Sequence, residues 1–212
     1  MTEPPRYRLM DLFAGCGGMT RGFVDTRRYN PIFAVESDPS AAATYVANFG
    51  DAHVFAVNIE DVKHFPKADV VIGGPPCQAF SPLNRRGVGF ERRDLWRQYL
   101  RALLESDPAA FVMENVPGLL RSAEYEAFKE AAEKVGGFTV AEDILNTADF
   151  GVPQRRRRAI VIGVRHGDVP WPAQTHFDPA AEIPAGGLPW RTVEDALRGL
   201  PREPNHDVIL RK

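Results

Sequence analysis

From Tyr7 to about Arg165 the chain alternates short apolar runs with segments whose apolar residues recur at helical spacing. That alternation is how a mostly parallel sheet wrapped by helices reads. The strand candidates are Arg8 to Phe13, Pro31 to Val35, His53 to Val57, Asp69 to Ile72, Ala110 to Met113, Thr139 to Leu145 and Ala159 to Val164. Between them, Leu95, Tyr99, Leu103 and Leu104, and then Tyr125, Phe128, Ala132 and Val135, are spaced for one face of a helix. Asp38 before Pro39 reads as an N-cap with proline at the first helical position, and Gly136-Gly137 reads as a helix stop. No internal repeat is present. Beyond Val164 the prolines at 170, 172, 179, 184, 189, 201 and 204 break up any long element, and Thr192 to Leu200 alone looks like a short helix. The expected division is a catalytic domain over residues 1–168 and a proline-rich connection over 169–212.

A chain of 212 residues with 44% hydrophobic content can bury one sizeable core. Its net charge of -2 gives no global argument for nucleic acid, so any such case rests on local clusters. The two cysteines, Cys16 and Cys77, have neither the paired spacing of a zinc site nor the density of a disulfide scaffold. A reducing cytoplasm is the expected compartment. There is no apolar run behind the first charges and no stretch of about 18 apolar residues, which points away from secretion and from a membrane partner.

Four segments carry chemistry. The first, DLFAGCGG at Asp11 to Gly18, stands where the first strand gives way to the first helix. Glycines there let the backbone turn tightly and approach a ligand, and the helix amides attract an anionic group. Glu36 follows Gly15 by 21 residues at the end of the second strand, a place suited to ribose hydroxyls. Taken alone the glycines fit a sharp turn equally well. They do not match the dinucleotide fingerprint, because its last glycine position is Thr20. The second segment, GGPPCQAFS at Gly73 to Ser81, follows the fourth strand. Two prolines fix the backbone before Cys77 and present it at the strand end, where open α/β sheets bind ligands. The plain alternative is a buried structural cysteine.

The third is ENV, Glu114 to Val116, at the end of the fifth strand. Its acid is either a solvated strand end or a proton donor sharing the rim with Cys77. The fourth is QRRRR, Gln154 to Arg158, leading into the last apolar strand. Alternation within a strand would put Arg156 and Arg158 on one side and Arg155 and Arg157 on the other. Further arginines at 85, 86, 92, 93, 97 and 101, with Gly87 and Gly89 among them, make a basic stretch suited to a nucleic-acid backbone.

In this order, the four segments resemble the cytosine-5 DNA methyltransferase family from about Leu9 to Arg165. The resemblance implies a Rossmann-like methyltransferase fold, α/β, with a mainly parallel sheet flanked by helices and one antiparallel strand near its end. It implies S-adenosyl-L-methionine as cofactor, S-adenosyl-L-homocysteine as product and double-stranded DNA as partner. Carried over by position, Phe13, Ala14, Gly15, Cys16, Gly17, Gly18, Glu36, Ser37, Asn58, Ile59, Pro75 and Leu95 would form the cofactor site. Phe13 would lie near the adenine and Glu36 on the ribose. Asn58 stands where the family usually has Asp, with Glu60 and Asp61 close by, and Ser37 stands where a large apolar residue often sits. Cys77 would be the nucleophile, with Gln78 beside it, and Pro76 would meet a flipped cytosine through its backbone. Glu114 would engage N3 and the exocyclic amine, Arg158 would hold the base near O2 with Arg156 nearby, and Asn115 would fix the loop bearing Cys77.

The chain ends at NHDVILRK, similar to the segment that precedes the target recognition domain in the family. The resemblance therefore implies a second polypeptide carrying that domain and the last motifs. A truncated product, a regulatory relative and an RNA cytosine-5 methyltransferase stand as alternatives.

Overall fold

The computed structural model describes residues 6–76 and 94–200. Cys77, Gln78 and the glycine-arginine stretch over 84–93 lie outside the described residues. Seven strands form one sheet: β1 (Tyr7–Leu12), β2 (Tyr29–Val35), β3 (Val54–Phe55), β4 (Val70–Gly73), β5 (Ala110–Asn115), β6 (Thr139–Asn146) and β7 (Arg157–Val164). Their spatial order is β3-β2-β1-β4-β5-β7-β6. Pairings of β1 with β2 and β4, of β2 with β3, and of β4 with β5 are parallel, whereas β5 and β7 run antiparallel. This is the mixed sheet that the resemblance implied.

The helices are α1 (Gly18–Asp25), α2 (Pro39–Phe49), α3 (Leu95–Ser106) and α4 (Ala123–Lys134). Asp38 caps α2, its carboxylate accepting from the amides of Ser40 and Ala41, with Pro39 at the first helical position. Alternation along β1 sends Met10 and Leu12 to one face of the sheet and Asp11 to the other. The first face holds the main core, where Tyr99 of α3 and Phe128 of α4 meet Phe111 edge-on with centroids 6.1 and 5.7 Å apart. Two residues assigned to helix faces from spacing are exposed instead. Leu104 gives its place to Ala102, and Val135 sits at the C-cap of α4, past the last buried turn.

The chain divides into two compact units. The first runs to Ile144 and resumes over Arg158–Pro170. The second takes Leu145–Arg157 together with the chain from Trp171, so it draws in a loop that lies upstream of the expected boundary at 168. Within it, β8 (His176–Phe177) and β9 (Leu188–Pro189) pair in parallel, and α5 (Val193–Leu197) begins at a capping box between Thr192 and Asp195. No helix of the described chain is long and apolar enough to cross a membrane.

Candidate active site

The strand order reverses between β1 and β4: the chain winds outward through β2 and β3, then returns to start β4 on the other side of β1. A crevice opens beyond the carboxyl ends of the two central strands at such a point. Leu12 at the end of β1 is in register with Gly73 at the end of β4, so the two loops that leave those strands start side by side.

The first loop is built from three left-handed residues in alternation, Phe13 (φ 57°), Gly15 (φ 54°) and Gly17 (φ 84°). Phe13 is the costly one, because a side chain disfavours that region by about 1–3 kcal/mol, and such strain gathers where a ligand is held. Nothing lies within 4 Å of a methyl placed on Gly15, so the backbone there faces open space. Glu36 holds the loop from β2. Its carboxylate accepts the Gly15 amide at 2.8 Å through one oxygen and the Asp38 amide at 2.8 Å through the other, which leaves a lone pair on each for a diol.

Beside this loop lies a cleft of about 370 Å³ lined by Phe13, Val35, Ser37, Val57, Asn58, Ile59, Glu60, Asp61, Pro76 and Leu95. Of the expected cofactor residues, Phe13, Ser37, Asn58, Ile59 and Leu95 therefore share one cavity, with Glu36 at the loop beside it. Val35 and Val57 supply apolar wall next to Ser37. Ala14 is buried behind the loop, and Cys16 and Gly18 are exposed at its crest. An apolar slot edged by amide and carboxylate groups fits an adenine ring with its amino group, and the Glu36 carboxylate fits the ribose. Arg101 is not free to serve a nucleic acid. It donates to the carbonyls of Ile59 and Val62, pairs with Glu105 at 3.2 Å and lies over the Phe65 ring, so it fixes the segment that floors the cleft. Arg97 likewise pairs with Asp94 and lies over Trp96.

The second loop leaves β4 through Gly73 and Gly74. A side chain on Gly73 would collide with the Leu12 carbonyl, and one on Gly74 would come within 3.3 Å of Glu114 Oε2. The buried Asn115 donates from Nδ2 to the Pro75 carbonyl at 2.9 Å and accepts the Val116 amide at the same distance. The prolines are thus tied to the end of β5. Register explains the third group. Glu114 faces Ile160 across β5 and β7, and Arg158, two residues before Ile160, is its diagonal neighbour on the same face. Arg158 Nε stands 2.9 Å from Glu114 Oε1, both partly buried. The alternation expected across four arginines does not extend that far. The strand begins at Arg157, and the Arg156 amide is held by Asn146 Oδ1 before it, in the second unit.

One buried group was not singled out from the sequence. Asp11 is 2% exposed, and burial pushes its carboxyl up to about 7 against the opposing hydrogen bonds from Thr20. The signal was available, since an acid inside an otherwise apolar strand must find a donor. Because the folded carboxyl holds its proton to higher pH than the unfolded one, the favourable contribution is complete below about pH 4. It is then lost progressively up to about pH 7. Asp11→Asn removes this titration, so chemical denaturation at pH 5 and pH 8 should show a smaller loss of stability for the variant than for the wild type. An equal loss in both would contradict the assignment.

A family model for C-5 cytosine-specific DNA methylases matches residues 7–207. The chain belongs to this family. It is 37% identical to the type II methyltransferase M.AquIA of Picosynechococcus over 92% of this chain and 89% of that protein. With M.XorII of Xanthomonas oryzae the identity is 36% over 91% of this chain but 46% of the relative. The chain thus spans most of one curated relative and about half the length of several others. Among solved structures, a candidate DNA modification methyltransferase encoded within a prophage (E. coli) superposes with a TM-score of 0.72 at 27% identity, covering 93% of this chain and 56% of that one. The Dnmt2 methyltransferase of S. pombe, at 21% identity and a TM-score of 0.63, shares the fold.

Proposed function

We propose that this family member transfers a methyl group from S-adenosylmethionine to carbon 5 of cytosine in duplex DNA through a covalent bond between Cys77 and C6. The observation that carries the reading is the common rim. Two adjacent strand ends deliver the proline loop that leads into Cys77 and the Glu114–Arg158 pair, next to a cleft suited to a nucleoside. Phe13, Leu95 and Ile59 would enclose the adenine, Asn58 would accept from its amino group, and Glu36 would hold the ribose. The bound cofactor supplies an electrophilic methyl group for the activated C5 carbon.

The residues of the chain do the rest. Carbon 5 is a poor nucleophile until the Cys77 thiolate adds to C6 and Glu114 places a proton on N3, which makes the C4–C5 bond enamine-like. Arg158 orients the Glu114 carboxyl and holds O2. Asn115, through Pro75, keeps the loop before Cys77 in place. Loss of the C5 proton to a base then expels the thiolate, and the N3 proton returns to the Glu114 carboxylate, which restores the neutral ring. C6 is shielded inside a duplex, so the base must swing out of the stack to be attacked.

The second unit supports a partner for this work. Among its described residues Ala148 alone is buried, while Val152, Trp171, Leu188, Val193, Leu197 and Leu200 are exposed. Where such side chains lie together they mark an interaction surface. The proposed occupant is a partner polypeptide that carries the target recognition domain. The test is tritiated methyl transfer to duplex DNA by the chain alone and after addition of the product of the adjacent reading frame. Transfer that appears or rises on addition is expected. No transfer in either case, despite bound cofactor, would sink the reading.

A further inference from the structure

The glycine loop has a rear support as well as a front. Gly17 caps α1 but has no side chain to offer its amides, and the buried carboxyl group of Asp11 on β1 reaches the first turn of that helix from the sheet. Thr20 in the first turn donates its hydroxyl to Asp11 Oδ2 at 2.5 Å, and the Thr20 hydroxyl oxygen in turn lies 3.1 Å from the Tyr45 hydroxyl of α2. Thr20 and Tyr45 are both fully buried. The Tyr45 ring also packs under the loop itself. A methyl on Gly17 would come within 2.9 Å of it and collide with Phe49, and Ala14 shares its apolar cluster. One side chain therefore reaches both the loop backbone and, through Thr20, the strand from which the loop springs.

We infer that Asp11, Thr20 and Tyr45 form a positioning triad that sets the height and tilt of the Phe13–Gly17 loop, and that Thr20 and Tyr45 thereby govern cofactor affinity without touching the reacting atoms. This rests on the loop holding S-adenosylmethionine, as proposed above. The physical reason is over-determination. Three left-handed residues in five persist only if the surroundings hold them. In front, Glu36 provides one hydrogen bond to Gly15. Behind, the triad connects β1 and α1, which flank the loop, with α2, whose Tyr45 and Phe49 pack against Gly17. A valine at 20 has nearly the shape of threonine but no hydroxyl, so it leaves the Asp11 carboxyl and the Tyr45 hydroxyl without their shared partner. The loop can then relax away from the strained arrangement, and the cofactor must restore it on binding.

The experiment is calorimetric titration of S-adenosylmethionine, together with steady-state methyl transfer by the complete enzyme, for wild type, Thr20→Val, Thr20→Ser and Tyr45→Phe. Thr20→Val is expected to weaken cofactor binding about tenfold and to raise the cofactor KM in step, with kcat at saturating cofactor within about twofold of wild type. Thr20→Ser should restore affinity, and Tyr45→Phe should fall between. Phe138→Leu, a core change far from the loop, serves as the control of similar stability and should leave the cofactor KM unchanged. Equal affinity for Thr20→Val and wild type, or an equal KM rise in the Phe138 control, would overturn the triad. Failure of the wild type itself to bind the cofactor would instead overturn the functional reading.

Discussion

Cys77→Ser is expected to abolish methyl transfer while leaving S-adenosylmethionine binding within a few-fold of wild type. The two side chains differ by one atom, but a thiol ionises near 8.5 and can be tuned to a thiolate, whereas a serine hydroxyl at neutral pH has almost no anionic form to add to C6. The loop that leads into position 77 is fixed independently of that side chain, by Asn115 on the Pro75 carbonyl and by the close approach of Gly73 to Leu12. The variant should therefore keep a competent cofactor site and lose only the nucleophile. Duplex DNA carrying 5-fluorocytosine offers a direct readout, because fluorine cannot leave as the C5 proton does, so the adduct cannot resolve. Wild type should give a complex that survives denaturing electrophoresis and the variant none. A complex that persists in the variant would remove Cys77 from its role.

Glu114→Gln should cost about 10²- to 10⁴-fold in kcat, the usual contribution of a positioned proton donor. Glutamine keeps the volume at the end of β5 and can still receive a hydrogen bond from Arg158, which now stands 2.9 Å from the carboxylate. It cannot deliver a proton to N3. Because Glu114 is not among the residues around the cofactor cleft, the cofactor dissociation constant should change little. Single-turnover transfer with saturating DNA and cofactor separates the two effects. A variant whose rate is normal, or whose defect is cured by more cofactor, would show that the acid is a solvated strand end and nothing more.

Much of the fold was legible because apolar period and glycine-proline punctuation agree along most of the first unit. The cap at Asp38–Pro39 is a local motif with a local cause, and it appears where the residues place it. The third strand was harder. The sequence suggests five residues from His53 to Val57, but pairing with β2 is limited to Val54 and Phe55, and edge strands have only one neighbour to hold them. The arginine run misled for a related reason. Period-two alternation needs a strand, and the chain over Gln154 to Arg156 is committed to the second unit before β7 begins at Arg157. The diagonal pairing of Glu114 with Arg158 follows from antiparallel register, which no single segment encodes. The role of Asp11 is not legible in the glycine motif that contains it, because its side chain points to the opposite face of the sheet from Met10 and Leu12 and meets a partner nine residues on. Its partner Thr20 comes from α1, and Tyr45, which meets the Thr20 hydroxyl, comes from α2.

The most direct test is nucleoside analysis by mass spectrometry of duplex DNA incubated with S-adenosylmethionine and the protein, alone and with the product of the adjacent reading frame. The expected product is 5-methyldeoxycytidine, present with wild type and absent with Cys77→Ser. A methyl group found on an exocyclic amine of cytosine or adenine, or 5-methyldeoxycytidine formed equally by the serine variant, would contradict the proposed chemistry.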